Sequence, residues 1–245
     1  MNLHERDTQA EEVLDMPKVD KRLIEESLHD LKRFGALLGW TRLAVRDVAR
    51  IVTQRYWRAF SVLDVGTGAA NIPIALAQWA RHQQLQARIT ASDINEQMLA
   101  VARGNSAGFP EICLERQNAL ALGYADQSFD LVLCQGVLHH FAPDEARTLF
   151  GELARVAKHA VIVTDLQRDL PLYLGAWLLM HTLVHNPITR QDGLASIRRA
   201  YTPAEVRDLA AQAGLHTCSL RTALCFRQSL IWQRQSPFYS PAYSS

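Results

Sequence analysis

Two acids bracket a pair of glycines in the stretch VLDVGTGAANIPIAL, Val62 to Leu76, and its continuation: Asp64 precedes Gly66-Thr67-Gly68, and Asp93 follows Gly68 by 25 residues. Glycines at such positions let the backbone turn tightly and approach a ligand that any Cβ would hold away. An acid at the spacing of Asp93 accepts hydrogen bonds from both hydroxyls of an adenosine ribose. Further along, His139 and His140 stand side by side and Asp165 follows an apolar run. Imidazole and carboxylate are the groups that move a proton and orient the mover near neutral pH. His181 and His185 lie four apart, the spacing of one helical face. They lack the third ligand and the adjacent acid of a zinc motif, so no metal site is assigned.

These residues need elements that bring them together. From residue 59 short β-rich runs alternate with helical patterns: AFSVLDV, then NIPIALAQWARHQQ; ARITAS, then NEQMLAVARGNSA; ICLERQ; FDLVLCQG, then DEARTLFGELARVAK; and HAVIVTD. Such alternation predicts a parallel sheet covered on both faces, a doubly wound α/β fold. After Asp165 the rhythm breaks for about 35 residues, and it resumes with TPAEVRDLAAQAG, a helix capped by Thr202 with Pro203 at its first position. Two final runs, HTCSLRTA and CFRQSLIWQR, are joined by a short turn and are expected to pair antiparallel. Ahead of the sheet, Ile24, Leu28, Leu31, Phe34 and Leu38 mark one helix, and Leu43, Val45, Val48, Val52 and Tyr56 mark the buried side of a second. The chain thus divides into a helical extension at 1–57, an α/β domain at 58–235 with an insert at about 167–201, and a loose tail at 236–245.

Ligands of a doubly wound sheet bind beyond the carboxyl ends of its strands, where the strand order reverses, and the residues above fall at those ends. A dinucleotide loop requires Gly or Ala at position 71 so that its helix can pack closely beneath the pyrophosphate; this chain has Asn71. The carboxylate of Asp64 repels a pyrophosphate and suits an ammonium. S-adenosylmethionine carries that ammonium and no phosphate, which places it ahead of a nicotinamide cofactor.

The bulk numbers narrow the classes. With 245 residues, 48% of them hydrophobic, and a formal net charge of +1, the chain can bury a full domain core and has no global attraction to nucleic acid. Basic residues between Lys32 and Arg58 read as a solvated helix face. The four cysteines, Cys113, Cys134, Cys218 and Cys225, form no CxxC pair and read as reduced core residues. The N-terminus has neither the basic start nor the apolar run of a signal peptide, so a cytoplasmic location is expected. The longest apolar run, Leu170 to Val184, is about 15 residues and too short to span a bilayer, so no integral membrane association is expected.

Together these motifs resemble class I S-adenosylmethionine-dependent methyltransferases over roughly residues 58–232. VLDVGTGAA is similar to the family's first motif with Ala70 in place of its last glycine. ASDINEQML is similar to the ribose-binding acid and adenine-flanking segment, QNALALGYADQSFDLVLCQGVLHHF to the adenine-side and fourth-strand motifs, and AYTPAEVRDLAAQAGL to the helix before the last strands. The flavour is that of small-molecule enzymes of quinone biosynthesis and polyketide tailoring; the N-terminal segment and the insert resemble bacterial methyltransferases that accompany type III polyketide synthases. The resemblance implies a Rossmann-like, mostly parallel seven-stranded sheet with N-terminal helices and a helical lid. It implies S-adenosylmethionine as cofactor, with Asp64, Gly66, Thr67, Gly68 and Gln135 at its methionine end, Asp93 on its ribose, and Ile94, Met98, Asn118 and Ala119 around its adenine. It also makes the fifth strand the neighbour of the fourth, so that Asp165 meets His139 or His140 as base and orienter; a helix cap or loop anchor is the structural alternative.

The insert, DLQRDLPLYLGAWLLMHTLVHNPITRQDG, lies above the cleft and reads as an apolar lid, with Tyr173, Trp177, His181, His185 and Arg198 as candidate acceptor contacts. Packing on the N-terminal helices or a homodimer surface would use the same residues. The expected activity is methyl transfer to a hydroxyl or carbon of a small lipophilic aromatic or polyketide-like molecule. An NAD(P)-dependent oxidoreductase and a non-catalytic S-adenosylmethionine-binding protein are the competing readings.

Overall fold

In a computed structural model of the chain, the described residues are 3, 5–10, 12, 13, 26, 27, 30, 33, 35, 38–184, 186–223 and 227–235. Most of the first expected helix, Cys225, His185 and the tail at 236–245 lie outside them. Seven strands form one sheet: β1 (Ala59–Val65), β2 (Gln86–Asp93), β3 (Ile112–Arg116), β4 (Phe129–Gln135), β5 (Ala157–Leu166), β6 (Cys218–Ala223) and β7 (Arg227–Gln233). Their order is β3-β2-β1-β4-β5-β7-β6. The first five run parallel, and β7 inserts antiparallel between β5 and β6. Between β1 and β4 the chain reverses its direction of travel across the sheet. The carboxyl ends of both strands open there into the crevice where such folds bind ligands.

Strand periodicity explains the two layers of core. Leu63, Val132, Val161 and Leu230 point to one face and pack on Leu149, Phe150 and Leu153 of a helix at Pro143–Val156. Val62, Leu131, Leu133 and Ile162 point to the other and pack on Leu76 and Ala77 of a helix at Asn71–His82. Among the described residues the helices with continuous bounds are, in chain order, α1 (Trp40–Gln54), α2 (Asn71–His82), α3 (Glu96–Ser106), α4 (Pro143–Val156), α5 (Leu170–Leu183), α6 (Pro187–Arg199) and α7 (Pro203–Gln212).

Helix α1 buries Ala44, Asp47, Val48, Ile51 and Val52. Val48, Ile51 and Val52 join the same apolar cluster as Phe60 and Val62, so this helix shares the core of the sheet. Leu43 and Val45 are only half-buried, and Tyr56, expected on the buried side, is 89% exposed. The helix ends at Gln54 and Tyr56 takes a left-handed φ of 54°, which removes it from the helical face.

The insert folds as α5 and α6. Asp169 caps the first by accepting from Leu172 N at 3.2 Å, and Asn186 caps the second by accepting from Ile188 N at 2.8 Å. Tyr173 and Ala176 of α5 pack on Ile197 of α6, while Leu170, Leu174, Leu178 and Leu183 face outward. Among the described residues no helix is long and apolar enough to cross a membrane.

One arginine joins the insert to the strands' ends. Arg168, with a side chain only 1% exposed, reaches Glu205 Oε1 at 2.7 Å. It also donates to Ala200 O at 2.7 Å and Leu3 O at 3.1 Å. Glu205 in turn accepts from Thr202 N at 2.7 Å while Thr202 Oγ1 accepts from Glu205 N at 3.3 Å, a reciprocal cap on α7. Removing the guanidinium strands buried carbonyls, and a charged hydrogen bond of this kind contributes roughly 1.5–3 kcal/mol. Arg168→Met is therefore expected to lower stability by about 2–3 kcal/mol in urea unfolding; a loss under about 1 kcal/mol would contradict this role.

Candidate functional site

The glycine loop leaves β1 and is fixed at once. Gly66 N and Thr67 N donate to Ser92 O at 2.8 and 2.9 Å, tying the loop to the end of β2. Gly66 has φ +72°, and a Cβ there would fall 2.3 Å from Val137 Cγ2. Only glycine satisfies both conditions. Ala70 closes the loop at the start of α2 with φ 60°, a left-handed turn without glycine that costs roughly 1–2 kcal/mol.

Asp93 braces the same loop. Its Oδ2 accepts from Gly68 N at 2.9 Å and its Oδ1 from Asn95 N at 2.9 Å, while Asn95 itself caps α3 by accepting from Gln97 N at 2.9 Å. Asp64 is 2% exposed. Burial pushes its carboxyl up to about 7, the Thr67 hydroxyl opposing and the Asp93 charge adding. The Thr67 hydroxyl is near enough to oppose that rise but is not aligned to bond the carboxyl, so by geometry Asp64 Oδ2, Thr67 Oγ1 and Gln135 Nε2 all lack a hydrogen-bond partner. All three side chains, with Gly66, Gly68 and Met98, line a cavity of about 680 Å³. Buried polar atoms left unpaired cost roughly 1–3 kcal/mol each. An ammonium beside Asp64 and a carboxylate beside the Gln135 amide and Thr67 hydroxyl would satisfy them, so the set fits the amino-acid end of S-adenosylmethionine. Asp93, Ile94, Asn118 and Ala119 lie outside the cavity walls. Ile94 is 58% exposed and Asn118 Oδ1 accepts from Leu120 N at 3.0 Å.

Beyond Gln135, β4 runs through Gly136 into a single 3-10 turn, Leu138–His140. His139 is brought against Asp165 at the end of β5: its backbone N donates to Oδ2 at 3.0 Å, and its Nδ1 lies 2.7 Å from Oδ1. The other ring nitrogen, Nε2, faces Glu12 Oε1 at 3.4 Å. Burial alone would depress the imidazole, but Asp165 and then Glu12 outweigh it and raise its pKa to about 9. Asp165 stays below the usual carboxylate range despite burial, through His139 and Arg227. At neutral pH His139 is therefore an imidazolium held between two carboxylates. His140 stacks on it with centroids 4.2 Å apart and also lines the cavity. The carboxylate of Glu12 and the two rings bring one oxygen and two ring nitrogens within 4.8 Å of one another.

The N-terminal segment covers this turn. Arg6 Nη2 donates to His139 O at 2.6 Å, and its guanidinium lies 4.3 Å from the Tyr201 ring centroid. Val13 N donates to Asp192 Oδ1 at 2.8 Å, which brings the segment across α6. Nothing in the acidic, unpatterned first residues signalled this. The sequence reading likewise passed over Trp40 and Arg227, both in the cavity wall. An arginine opening the otherwise buried strand β7 was the one available signal.

The acceptor contacts differ from those expected. Tyr173 is 4% exposed and belongs to the small core of the insert. Trp177 and His181 stack on each other at 4.4 Å on the exposed side of α5, and Arg198 faces Asp7 at 3.6 Å. None of the four lines the cavity. Its roof is instead Ala176, Leu179 and Met180 of α5 with Thr189, Ser196 and Ile197 of α6. An all-round apolar helix gives no periodic signal for its inward face, which is why the large residues misled.

Residues 62–160 match the family described as "Methyltransferase domain". The chain is 30% identical over 164 residues to a demethylmenaquinone methyltransferase of Desulfitobacterium hafniense, covering 64% of this chain and 60% of that one. It is 34% identical over 117 residues to a demethylmenaquinone methyltransferase of Deinococcus radiodurans, covering 47% and 44%. Thus the chain spans between 44% and 60% of the length of these curated relatives. In fold it is similar to the magnesium protoporphyrin IX methyltransferase ChlM of Synechocystis solved with bound SAH, with a TM-score of 0.57, 20% identity and 90% of each chain covered.

Two outcomes follow from the geometry. The folded pKa of His139, about 9, exceeds the roughly 6.5 of an unfolded histidine. Its stabilisation is complete below about pH 6.5 and is lost as pH rises through about 9, on the order of 3 kcal/mol. Thermal denaturation of the wild type should weaken across that window more than that of His139→Gln; parallel profiles would refute the charged imidazole. Gly66→Ala should destabilise the fold by several kcal/mol, with partial recovery in the double variant with Val137→Ala. Equal stability of the single variant and the wild type would rule out the close approach.

Proposed function

We propose that this chain, a member of the class I S-adenosylmethionine-dependent methyltransferases, transfers a methyl group to an oxygen or carbon of a small lipophilic aromatic or polyketide-like acceptor enclosed beneath α5 and α6. The observation that carries the reading is the buried, partnerless Asp64 Oδ2 beside the glycine loop, with Thr67 Oγ1 and Gln135 Nε2 equally unsatisfied. An ammonium group answers the first. A pyrophosphate would meet a carboxylate instead, and Asn71 stands where a dinucleotide loop needs a small residue.

When bound, S-adenosylmethionine supplies a methyl already activated by its sulfonium. The protein's task is then placement, an effect that can contribute roughly 7–11 kcal/mol when reactants are held in line. Gly66 and Gly68 admit the ligand against the backbone, and Asp93 holds the loop from outside the cavity. Leu179, Met180 and Ile197 exclude water from the acceptor chamber. With His139 charged and engaged by Asp165 and Glu12, it orients the turn and donates; His140, on the cavity wall, is the residue assigned to accept a hydroxyl proton from the acceptor. A positioned base of this kind contributes on the order of 10²–10⁴ in rate. The demethylmenaquinone methyltransferase relatives support a flat, lipophilic acceptor.

Calorimetric titration tests the cofactor: S-adenosylmethionine and S-adenosylhomocysteine should bind at micromolar concentration, NADPH should not, and Asp64→Ala should weaken the first two at least tenfold. Binding of NADPH alone would overturn the reading. Once an acceptor is found, His140→Ala should lower kcat about a hundredfold with little change in cofactor affinity, and an unchanged kcat would remove His140 from proton transfer.

A further inference from the structure

Arg227 opens β7, pairs across from Leu166 at the end of β5, and projects into the cavity. It is 9% exposed, its Nε has no hydrogen-bond partner, and among the described residues it has no carboxylate within salt-bridge distance. Its guanidinium carbon lies 3.9 Å from the centroid of the Trp40 ring, which covers one face. Beneath it is Gly136, at which even a Cβ would stand 3.9 Å from Nη2. The indole Nε1 of Trp40 is also buried without a partner and also lines the cavity. Two adjacent side chains that can only donate therefore share one wall, and neither has an acceptor.

The two carboxylates nearest the histidines are already engaged. Asp165 and Glu12 are taken by the His139 imidazolium, with Arg199 Nη1 3.9 Å from Glu12. Burial draws the Arg227 pKa down to about 10, the Asp165 charge opposing, so it keeps its proton at neutral pH. A cation removed from water and lacking a hydrogen-bonded partner is costly. Guanidinium presents a planar fork of donors matched to a carboxylate or another oxyanion.

We propose that Arg227 and the indole N–H of Trp40 form a binding site for an anionic oxygen, and that this oxygen, carboxylate or phenolate, belongs to the methyl acceptor. The inference rests on the methyl-transfer reading and narrows it: the acceptor is a lipophilic organic anion. The other source of such an oxygen, the carboxylate of the cofactor's amino-acid end, is less favoured. That end has its own complement in Asp64, Thr67 and Gln135, whereas Arg227 enters from β7, three strands from the glycine loop in the order β1-β4-β5-β7.

Equilibrium binding to the full chain saturated with S-adenosylhomocysteine separates the two sources. The probes are naphthoate against neutral naphthamide and para-nitrophenolate against nitrobenzene. Each anion should bind at least tenfold more tightly than its neutral counterpart. Arg227→Gln should abolish that preference while changing S-adenosylhomocysteine affinity less than threefold; Arg227→Lys should keep part of it, and Trp40→Phe should reduce it severalfold. No preference in the wild type overturns the site. A tenfold loss of S-adenosylhomocysteine affinity in Arg227→Gln, with naphthoate binding intact, overturns the assignment to the acceptor. If S-adenosylhomocysteine fails to bind the wild type while the anion preference persists without it, the methyl-transfer reading falls and the anion site stands. Unfolding midpoints of all three variants confirm that they are folded, and Arg227→Lys carries the test should the glutamine variant not fold.

Discussion

A carboxylate sealed from water at the end of β5 must be compensated, and the compensation Asp165 receives arranges the chamber around it. It accepts from the backbone and ring of His139 and from Leu166 N at 2.6 Å. One residue thereby joins the turn after β4 to the exit of β5 and fixes the plane of an imidazole. The ring then carries its charge outward to Glu12, which draws the N-terminal segment over the site. Remove the carboxylate and three separate elements lose their common point.

The same constraint divides the cavity by charge. At the glycine loop the unsatisfied groups are a buried carboxylate, a hydroxyl and an amide; at the far wall they are a guanidinium and an indole N–H. The first set suits an ammonium with its neighbouring carboxylate, the second an isolated anionic oxygen. Between them lie the two histidines, and above them the apolar sides of α5 and α6. A ligand with one zwitterionic end and a second molecule with an oxyanion would meet in the middle.

The sheet was legible because two independent signals agree: short β-rich apolar runs at β1, β4 and β5, and helical patterns between them with Pro73 and Pro203 in first turns. The glycine loop was legible because strand ends are where this topology collects polar residues; that a histidine after β4 meets Asp165 followed from the family resemblance, which left His139 and His140 equal, and the structure selects His139. The chamber roof was not. In α5 nearly every side chain is apolar, so residue size suggested Tyr173 and Trp177, whereas the fold turns Ala176 and Met180 inward. Glu12 was invisible for another reason: it reaches the site from a segment distant in sequence, and no local pattern records that reach; for Arg227 the one trace was an arginine at the start of an apolar strand.

The most direct test of this account is a crystal structure of the chain with S-adenosylmethionine. The ammonium nitrogen is expected about 3 Å from Asp64 Oδ2, with the methyl directed into the space between His140 and Arg227. A cofactor bound in the reverse sense, with its adenine beneath α5 and α6 and Asp64 still without a partner, would contradict it.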